Sequence, residues 1–291
     1  MSEPQAGLTI AISEGGIAAK HALLNAQDIL VSPATASNHI NTIRAGIIPI
    51  ACWRIEHFRF AFASSFPAPE VAEELTLLAQ LVKDHPPTSK SEGKPGFPLS
   101  VFGHADPTGD DEYNKQLSGR RATAIYALLR RDTDLWDKLF SQPFGNDKWG
   151  TPALELMLDT VSPAPPGETN QQSAKEHERN TGQRRVLFAQ YMDKLCGPDL
   201  QLEKSDFLGH GDDPDGKGDF QGYGEFNPVL IFSQKDQTWF EQDKDQTARN
   251  DANAPNRRVM VLIFRKGSRI DPKKWPCPRV TEGTAGCHKR F

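Results

Sequence analysis

Residues 102 to 131 read FGHADPTGDDEYNKQLSGRRATAIYALLRR, and this stretch is the most informative part of the sequence about the fold. Leu99 to His104 is a short, mostly apolar run, and the turn-forming residues Asp106 to Gly109 follow it. Such a sequence predicts a strand, a tight turn and then a helix. The apolar residues of that helix recur at helical spacing, which predicts one buried face; they are Leu117, Ala124, Ile125 and Leu128.

Arg121 lies on or beside that buried face, one turn from Leu117 and from Ile125. An arginine there needs a partner, because a buried unpaired charge is costly. We expect that partner to be Asp106, at the carboxyl end of the strand, or the carboxylate of a ligand. The two side chains suit a zwitterionic amino acid, since a guanidinium binds carboxylates and an aspartate accepts from an ammonium. Free amides near Asp111 to Tyr113, at the helix start, would add to an anion site. The alternative is an internal ion pair that only ties strand to helix.

The same stretch resembles the signature of OmpA-like peptidoglycan-binding domains, which runs roughly GHTD, G, N, LS, RA along a strand, a turn and a helix. The matching residues are Gly103, His104, Asp106, Gly109, Asn114, Leu117, Ser118, Arg121 and Ala122. A second match lies downstream, in the GYGE of residues 222 to 225 with Pro228, and in the NRRV of residues 256 to 259. Together the similar parts run from about residue 58 to 132 and from 222 to 265.

The resemblance implies an α+β fold, with a β-α-β-α-β mixed sheet that carries its helices on one face. It also implies non-catalytic binding of the diaminopimelate in the peptidoglycan stem peptide, held by Asp106 and Arg121. Further candidate ligand-binding residues are Thr108, Gly109, Asn114, Arg257 and Arg258. One of the two neighbouring arginines is expected to face the ligand, and the alternation does not say which. Many family members carry Asp where this chain has Ala63, so part of the polar support for the ligand is missing.

These matches and the breaks in composition divide the chain into five segments. We predict an N-terminal extension at 1–52, the first part of the OmpA-like domain at 53–131, a mainly helical insertion at 132–221, the second part of the domain at 222–268, and a cysteine-containing tail at 269–291. The insertion is too long for a loop, and we predict helices at Trp149–Val161 and Gln171–Leu195. Two short helices bury too little surface alone, so the insertion is expected to pack against the domain.

The remaining elements are predicted from apolar periodicity and from the turn-forming residues that bound each stretch. They are a strand at Glu56–Ala63, a helix from Pro69 to His85, a strand at Val229–Phe232, and a central strand, buried on both faces, at Val259–Phe264. Gln234–Ala254 is expected to be a variable loop. The acidic segment Asp206–Asp219 is expected to be an exposed turn, because its spacing does not provide the first and twelfth ligands of an EF-hand.

Composition excludes several classes of function. The 291 residues include 34 Lys and Arg and 38 Asp and Glu, for a net charge of −4, so nucleic acid is not expected as a partner. We find no run of 18 apolar residues and expect no transmembrane segment. No nucleophile or metal-hydrolase pattern such as HExxH is present, so we expect neither an enzyme nor a cofactor. Two alternatives stay open: a wall hydrolase targeted by this domain, and a structural or cargo component of a contractile or secretion-type (phage-tail-like) assembly that uses the fold for protein contact.

The two ends of the chain leave questions of location and cross-linking. Residues 1 to 5, MSEPQ, lack a positively charged region. We therefore expect the periplasm or cell envelope, reached by a route without a cleaved signal, or otherwise the cytoplasm. Near the other end, Cys277 and Cys287 close a short loop in which a disulfide is one option. A zinc site that adds His288 would lack a fourth ligand, so no metal is expected.

Overall fold

The structure is a computed structural model, and it describes residues 49–55, 60, 63–213, 215–226, 228–242, 247–272 and 280–288. It is a mixed α+β fold, as the sequence predicts. The strands are β1 (Pro49–Ile55), β2 (Leu99–Gly103), β3 (Phe220–Gly222) and β4 (Val259–Phe264). The helices are α1 (Val71–Asp84), α2 (Asp111–Arg130), α3 (Thr133–Ser141), α4 (Gly150–Val161), α5 (Gln171–Arg179), α6 (Thr181–Cys196), α7 (Gln234–Gln242), α8 (Thr247–Ala252) and α9 (Ala285–His288).

The four strands form one mixed sheet in the order β1-β4-β2-β3. β4 pairs antiparallel with β1 on one side and with β2 on the other, while β2 and β3 are parallel. The prediction of a central strand at Val259–Phe264 is therefore correct. Its helix-facing side chains are buried, whereas Met260 and Leu262 on the opposite face are only half-buried, so burial on both faces is incomplete.

Helices α1 and α2 pack on the same face of the sheet and share its main hydrophobic core. The predicted face of α2 is confirmed, since Leu117, Ala124, Ile125 and Leu128 are buried. Two glycines let α2 approach the strands closely. A Cβ on Gly103 would lie 1.9 Å from the carbonyl oxygen of Ser118, and one on Gly222 would lie 2.4 Å from the amide nitrogen of Gly119. On the other face, Leu208 and Ile270 pack with Phe102 and Phe264.

A strand that was not predicted, β1, precedes the predicted strand Glu56–Ala63, most of which lies outside the described residues. β1 begins at Pro49, inside the segment assigned to an N-terminal extension, and its Ile55 pairs with Val259. Residues 56–59 and 61–62 lie outside the described residues, and Ala63 is in a turn with a left-handed φ of 53°. Pro49–Ile55 reads PIACWRI and does not alternate between apolar and polar residues, so periodicity did not mark it as a strand. Cross-strand pairing with β4 makes it one.

The segment from 132 to 221 is helical and shares the core of the sheet. Trp136, Trp149, Phe188 and Tyr191 form an aromatic group with Phe66 that continues into the core below α1. The predicted helix at Gln171–Leu195 is in fact two helices. Asn180 begins the second one, and its side chain accepts a hydrogen bond from the Gln183 amide at 3.1 Å. An asparagine N-cap stabilises the start of a new helix, so the chain begins α6 at this point and does not continue α5.

Three predictions downstream are wrong. Val229–Phe232 is not a strand, and the predicted loop at Gln234–Ala254 contains α7 and α8. The acidic turn at Asp206–Asp219 is not simply exposed, because Asp219 is buried and accepts from the Gly209 and Gly211 amides at 2.6 and 2.8 Å. Burial raises the pKa of Asp219 to about 6. The segment thus packs beside β2, where the Leu208 amide donates to Leu99 O at 2.8 Å, instead of turning to solvent.

Within the described ranges, no helix is both long enough and apolar enough to cross a membrane.

Candidate functional site

The residues singled out in the sequence meet at the end of the sheet where β2 stops and β4 starts. They surround a small cavity of about 30 Å³. Its described lining residues are Ala63, Ala105, Asp106, Thr108, Tyr113, Asn114, Leu117, Arg121 and Arg257. Five of the seven candidate ligand residues are in this set. The other two, Gly109 and Arg258, are not among the residues that line it.

Asp106 pairs with Arg257 and not with Arg121. Its Oδ2 lies 3.0 Å from Arg257 Nη1, and both side chains are almost fully buried. Its Oδ1 accepts a hydrogen bond from the Thr108 amide at 3.0 Å. The expected ion pair with Arg121 is wrong because of the sheet register. Gly103 is opposite Val259 in the antiparallel β2/β4 pair, so the chain just before Val259 passes beside the chain just after Gly103.

Arg121 is fully buried, and backbone carbonyl oxygens hold it in place. Its Nε donates to Ser64 O at 2.8 Å and its Nη1 to His104 O at 3.3 Å. Its guanidinium carbon lies 5.5 Å from the centre of the Phe60 ring. Burial lowers its pKa to about 10, partly offset by Asp106, so it remains charged at neutral pH. Its Nη2 has no hydrogen-bond partner within the described part of the chain. One charged donor is therefore left over at the cavity.

Asn114 stabilises the turn that carries Asp106. Its Nδ2 lies within hydrogen-bonding distance of Asp106 O at 3.1 Å, Thr108 O at 3.2 Å and Glu225 Oε2 at 2.7 Å. Glu225 belongs to the GYGE segment, and burial raises the pKa of its carboxyl. Asn114 thus joins the two separated parts of the signature, and its amide is engaged by the protein itself.

The start of α2 does not offer the free amide group that we expected at Tyr113. Asp110 is the N-cap, and its Oδ1 accepts from the Tyr113 amide at 2.9 Å. A side-chain carboxylate therefore occupies the position where a ligand anion would bind. The anion site predicted at Asp111 to Tyr113 is wrong in this respect.

The question of which arginine faces the cavity is answered in favour of Arg257. Arg258 is also buried, but Arg54 of the edge strand β1 and the buried His104 are its neighbours. Burial, with Arg54 as the next cause, lowers the pKa of Arg258 to about 10. Burial and Arg258 hold the pKa of His104 well below its ordinary value. The two arginines, which lie just before β4, therefore contact different groups although they are neighbours in sequence.

Tyr113 is a cavity residue that the sequence reasoning missed. Its hydroxyl is buried and has no hydrogen-bond partner among the described residues. Its ring stacks on Phe144 with centroids 5.2 Å apart. Neighbouring Gly145 has a φ of 55°, and a Cβ on it would lie 2.6 Å from Tyr113 Cε2. Only its position beside Asn114 in the signature gave a hint, because Phe144 and Gly145 lie more than 30 residues further along the chain.

The C-terminal segment lies along the first turns of α2. Thr284 donates from its amide and its hydroxyl to Glu112 Oε1 at 2.8 and 2.6 Å, which lowers the pKa of Glu112. Cys287 has a free thiol whose Sγ is 3.6 Å from Lys115 Nζ. Cys277, the other half of the disulfide considered above, lies outside the described residues. Among the residues that are described, no group of three or more His, Cys, Asp or Glu is arranged to hold a metal ion.

Comparison with known proteins gives a local similarity. No protein-family model matches the chain. The chain is 38% identical over 60 residues to Outer membrane protein 41 of Porphyromonas gingivalis. The match covers 18% of this chain and 15% of the length of that protein. The likeness is thus confined to a short segment of each.

Proposed function

We propose that this chain is a non-catalytic peptidoglycan-binding protein of the cell envelope, which anchors itself or an attached partner to the diaminopimelate-containing stem peptide. The observation that carries the proposal is the meeting of Asp106, Arg121 and Arg257 at one cavity. These residues come from two parts of the chain that separately resemble the OmpA-like signature. The local similarity to a protein named for the outer membrane supports the cell envelope as the location.

The chemistry of the cavity fits an amino-acid ligand. Arg121 Nη2 is a charged donor without a partner in the described ranges, and an unsatisfied buried donor is expected to have a water or a ligand acceptor. A carboxylate is the strongest acceptor available in a peptide. Asp106 keeps Arg257 at the cavity and brings the negative charge that an ammonium needs. Both charges of a zwitterion therefore have a counter-charge within reach.

Retention on purified sacculi tests the proposal. We expect the wild-type chain to sediment with sacculi and Arg121→Ala to stay in the supernatant, because it loses the charged donor. Arg185→Ala is the matched control, since Arg185 is a half-exposed arginine on α6 that pairs with Asp134. Folding of each variant is checked by circular dichroism.

The same experiment separates the alternatives. Equal retention of folded Arg121→Ala and wild type would place the ligand elsewhere. Clearing of the sacculi by the wild type would indicate a hydrolase. No retention of the wild type would contradict the proposal and favour a role in protein contact.

A further inference from the structure

A second unpartnered donor lies at the cavity beside Arg121. The Tyr113 hydroxyl and Arg121 Nη2 are both buried, and neither has a hydrogen-bond partner among the described residues. Both residues line the same cavity. A protein rarely leaves two buried donors unsatisfied at one place. The pair therefore requires an acceptor that the described part of the chain does not provide.

The size and charge of the cavity limit what that acceptor is. About 30 Å³ holds two or three water-sized groups of roughly 10–15 Å³ each, and no sugar ring. The charged side chains that line it are the two guanidiniums of Arg121 and Arg257 and one carboxylate, Asp106. Asp106 is already engaged by Arg257 and by the Thr108 amide. The surplus is thus one positive charge with free donors, which suits a small anionic acceptor.

We infer that Tyr113 is a ligand-contacting, specificity-determining residue, whose hydroxyl donates together with Arg121 Nη2 to one carboxylate of the ligand. The inference rests on the proposed function for the source of that carboxylate, a stem peptide. It also predicts selectivity. A carboxamide in place of the carboxylate has no negative charge, and its N–H groups would face two donors of the protein. We therefore expect the carboxamide to bind more weakly.

The segment 132–221 contributes to this site because two of its residues pack against Tyr113. Phe144 stacks on the ring, and Gly145 leaves room for its edge. Packing of the ring consequently holds the hydroxyl in place. A donor that is already immobilised loses little further entropy on binding.

The test is titration of the full chain with a soluble diaminopimelate-containing stem peptide and with the same peptide carrying a carboxamide. We expect Tyr113→Phe, which keeps the ring and removes the hydroxyl, to weaken binding of the carboxylate peptide about tenfold or more. The carboxamide peptide should bind wild type at least tenfold more weakly, and Tyr113→Phe should add little to that loss. Tyr126→Phe is the control, since Tyr126 is a buried tyrosine that packs on Phe207 and Phe220, away from the cavity.

Unchanged affinity of folded Tyr113→Phe for the carboxylate peptide would overturn the inference, as would equal affinity of wild type for both peptides. Failure of the proposed function looks different, because wild type would then bind neither peptide nor sacculi. In that case acetate serves as the probe, with the Nε–Hε signal of Arg121 followed by NMR. If acetate shifts this signal and Tyr113→Phe abolishes the shift, the cavity binds a carboxylate that comes from another kind of ligand. If acetate causes no shift in the wild type, the inference is rejected.

Discussion

The buried pair of Asp106 and Arg257 shows how strongly a single residue depends on its partner at this site. Taking one charge away leaves the other buried without compensation, which typically costs about 3–5 kcal/mol. Replacing both by apolar groups removes the desolvation cost along with the attraction. The intact pair thus adds little net stability to the fold, and its main effect is to fix which charged groups lie at the cavity.

We therefore expect Asp106→Ala and Arg257→Ala each to lower the free energy of unfolding by about 3 kcal/mol. The double variant should lose clearly less than the sum of the two, by about 1–3 kcal/mol. Urea denaturation of the four proteins measures the cycle. Additive losses would show that the 3.0 Å contact carries no coupling.

At the scale of elements, one loop connects the helical segment 132–221 to the cavity. Asp147 is fully buried and accepts from the Ser65 amide at 2.8 Å and from the Ser65 hydroxyl at 2.6 Å. Arg120 of α2 forms an ion pair with the same carboxylate. The residue before Ser65 provides the carbonyl that accepts from Arg121 Nε. Asp147 therefore fixes the backbone that orients the arginine of the site.

Asp147→Ala is expected to reduce both stability and ligand binding, since the carbonyl acceptor of Arg121 is no longer held in place. Asp137→Ala is the matched control, because Asp137 forms an equally short ion pair with buried Arg184 between α3 and α6, far from the cavity lining. Both variants should lose about 3 kcal/mol of stability, and only the first should lose retention on sacculi, by about tenfold. Equal retention by both variants would contradict this link.

At the scale of the whole molecule, the helical segment and the sheet share one hydrophobic core. Tyr191 of α6 donates its hydroxyl to Pro67 O at 3.0 Å, and its ring stacks on Phe66. Trp149 donates to the Ser65 hydroxyl at 3.1 Å. A segment that completes the core of its host has no separate interior to keep it folded alone.

Limited proteolysis should therefore release no stable fragment that spans residues 132–221. The exposed stretch between α4 and α5, rich in proline and glycine, is the expected first cleavage site. After one cut the two pieces should stay together, and unfolding should remain a single transition. A soluble, folded fragment of the segment would show that it is an independent module.

The local elements of this protein can be predicted from its amino-acid sequence. The strand, turn and helix around residues 99–130 follow from apolar spacing and turn-forming residues, and the buried face of α2 appears where the periodicity predicts it. The same spacing placed Asp106 at the end of the strand and Arg121 on or beside the buried face of the helix. These features depend on residues a few positions apart, whose geometry is set by the backbone of one element.

Which groups meet depends on the tertiary fold. The register of β2 against β4 makes Arg257 the partner of Asp106, whereas Arg258 has Arg54 and His104 as neighbours. Distant chain segments bring Phe144 and Gly145 to Tyr113 and Asp147 to Ser65. The position of β1 was likewise decided by pairing with a strand about 200 residues away. Such contacts depend on pairing and packing across the whole core, which periodicity within a single element does not encode.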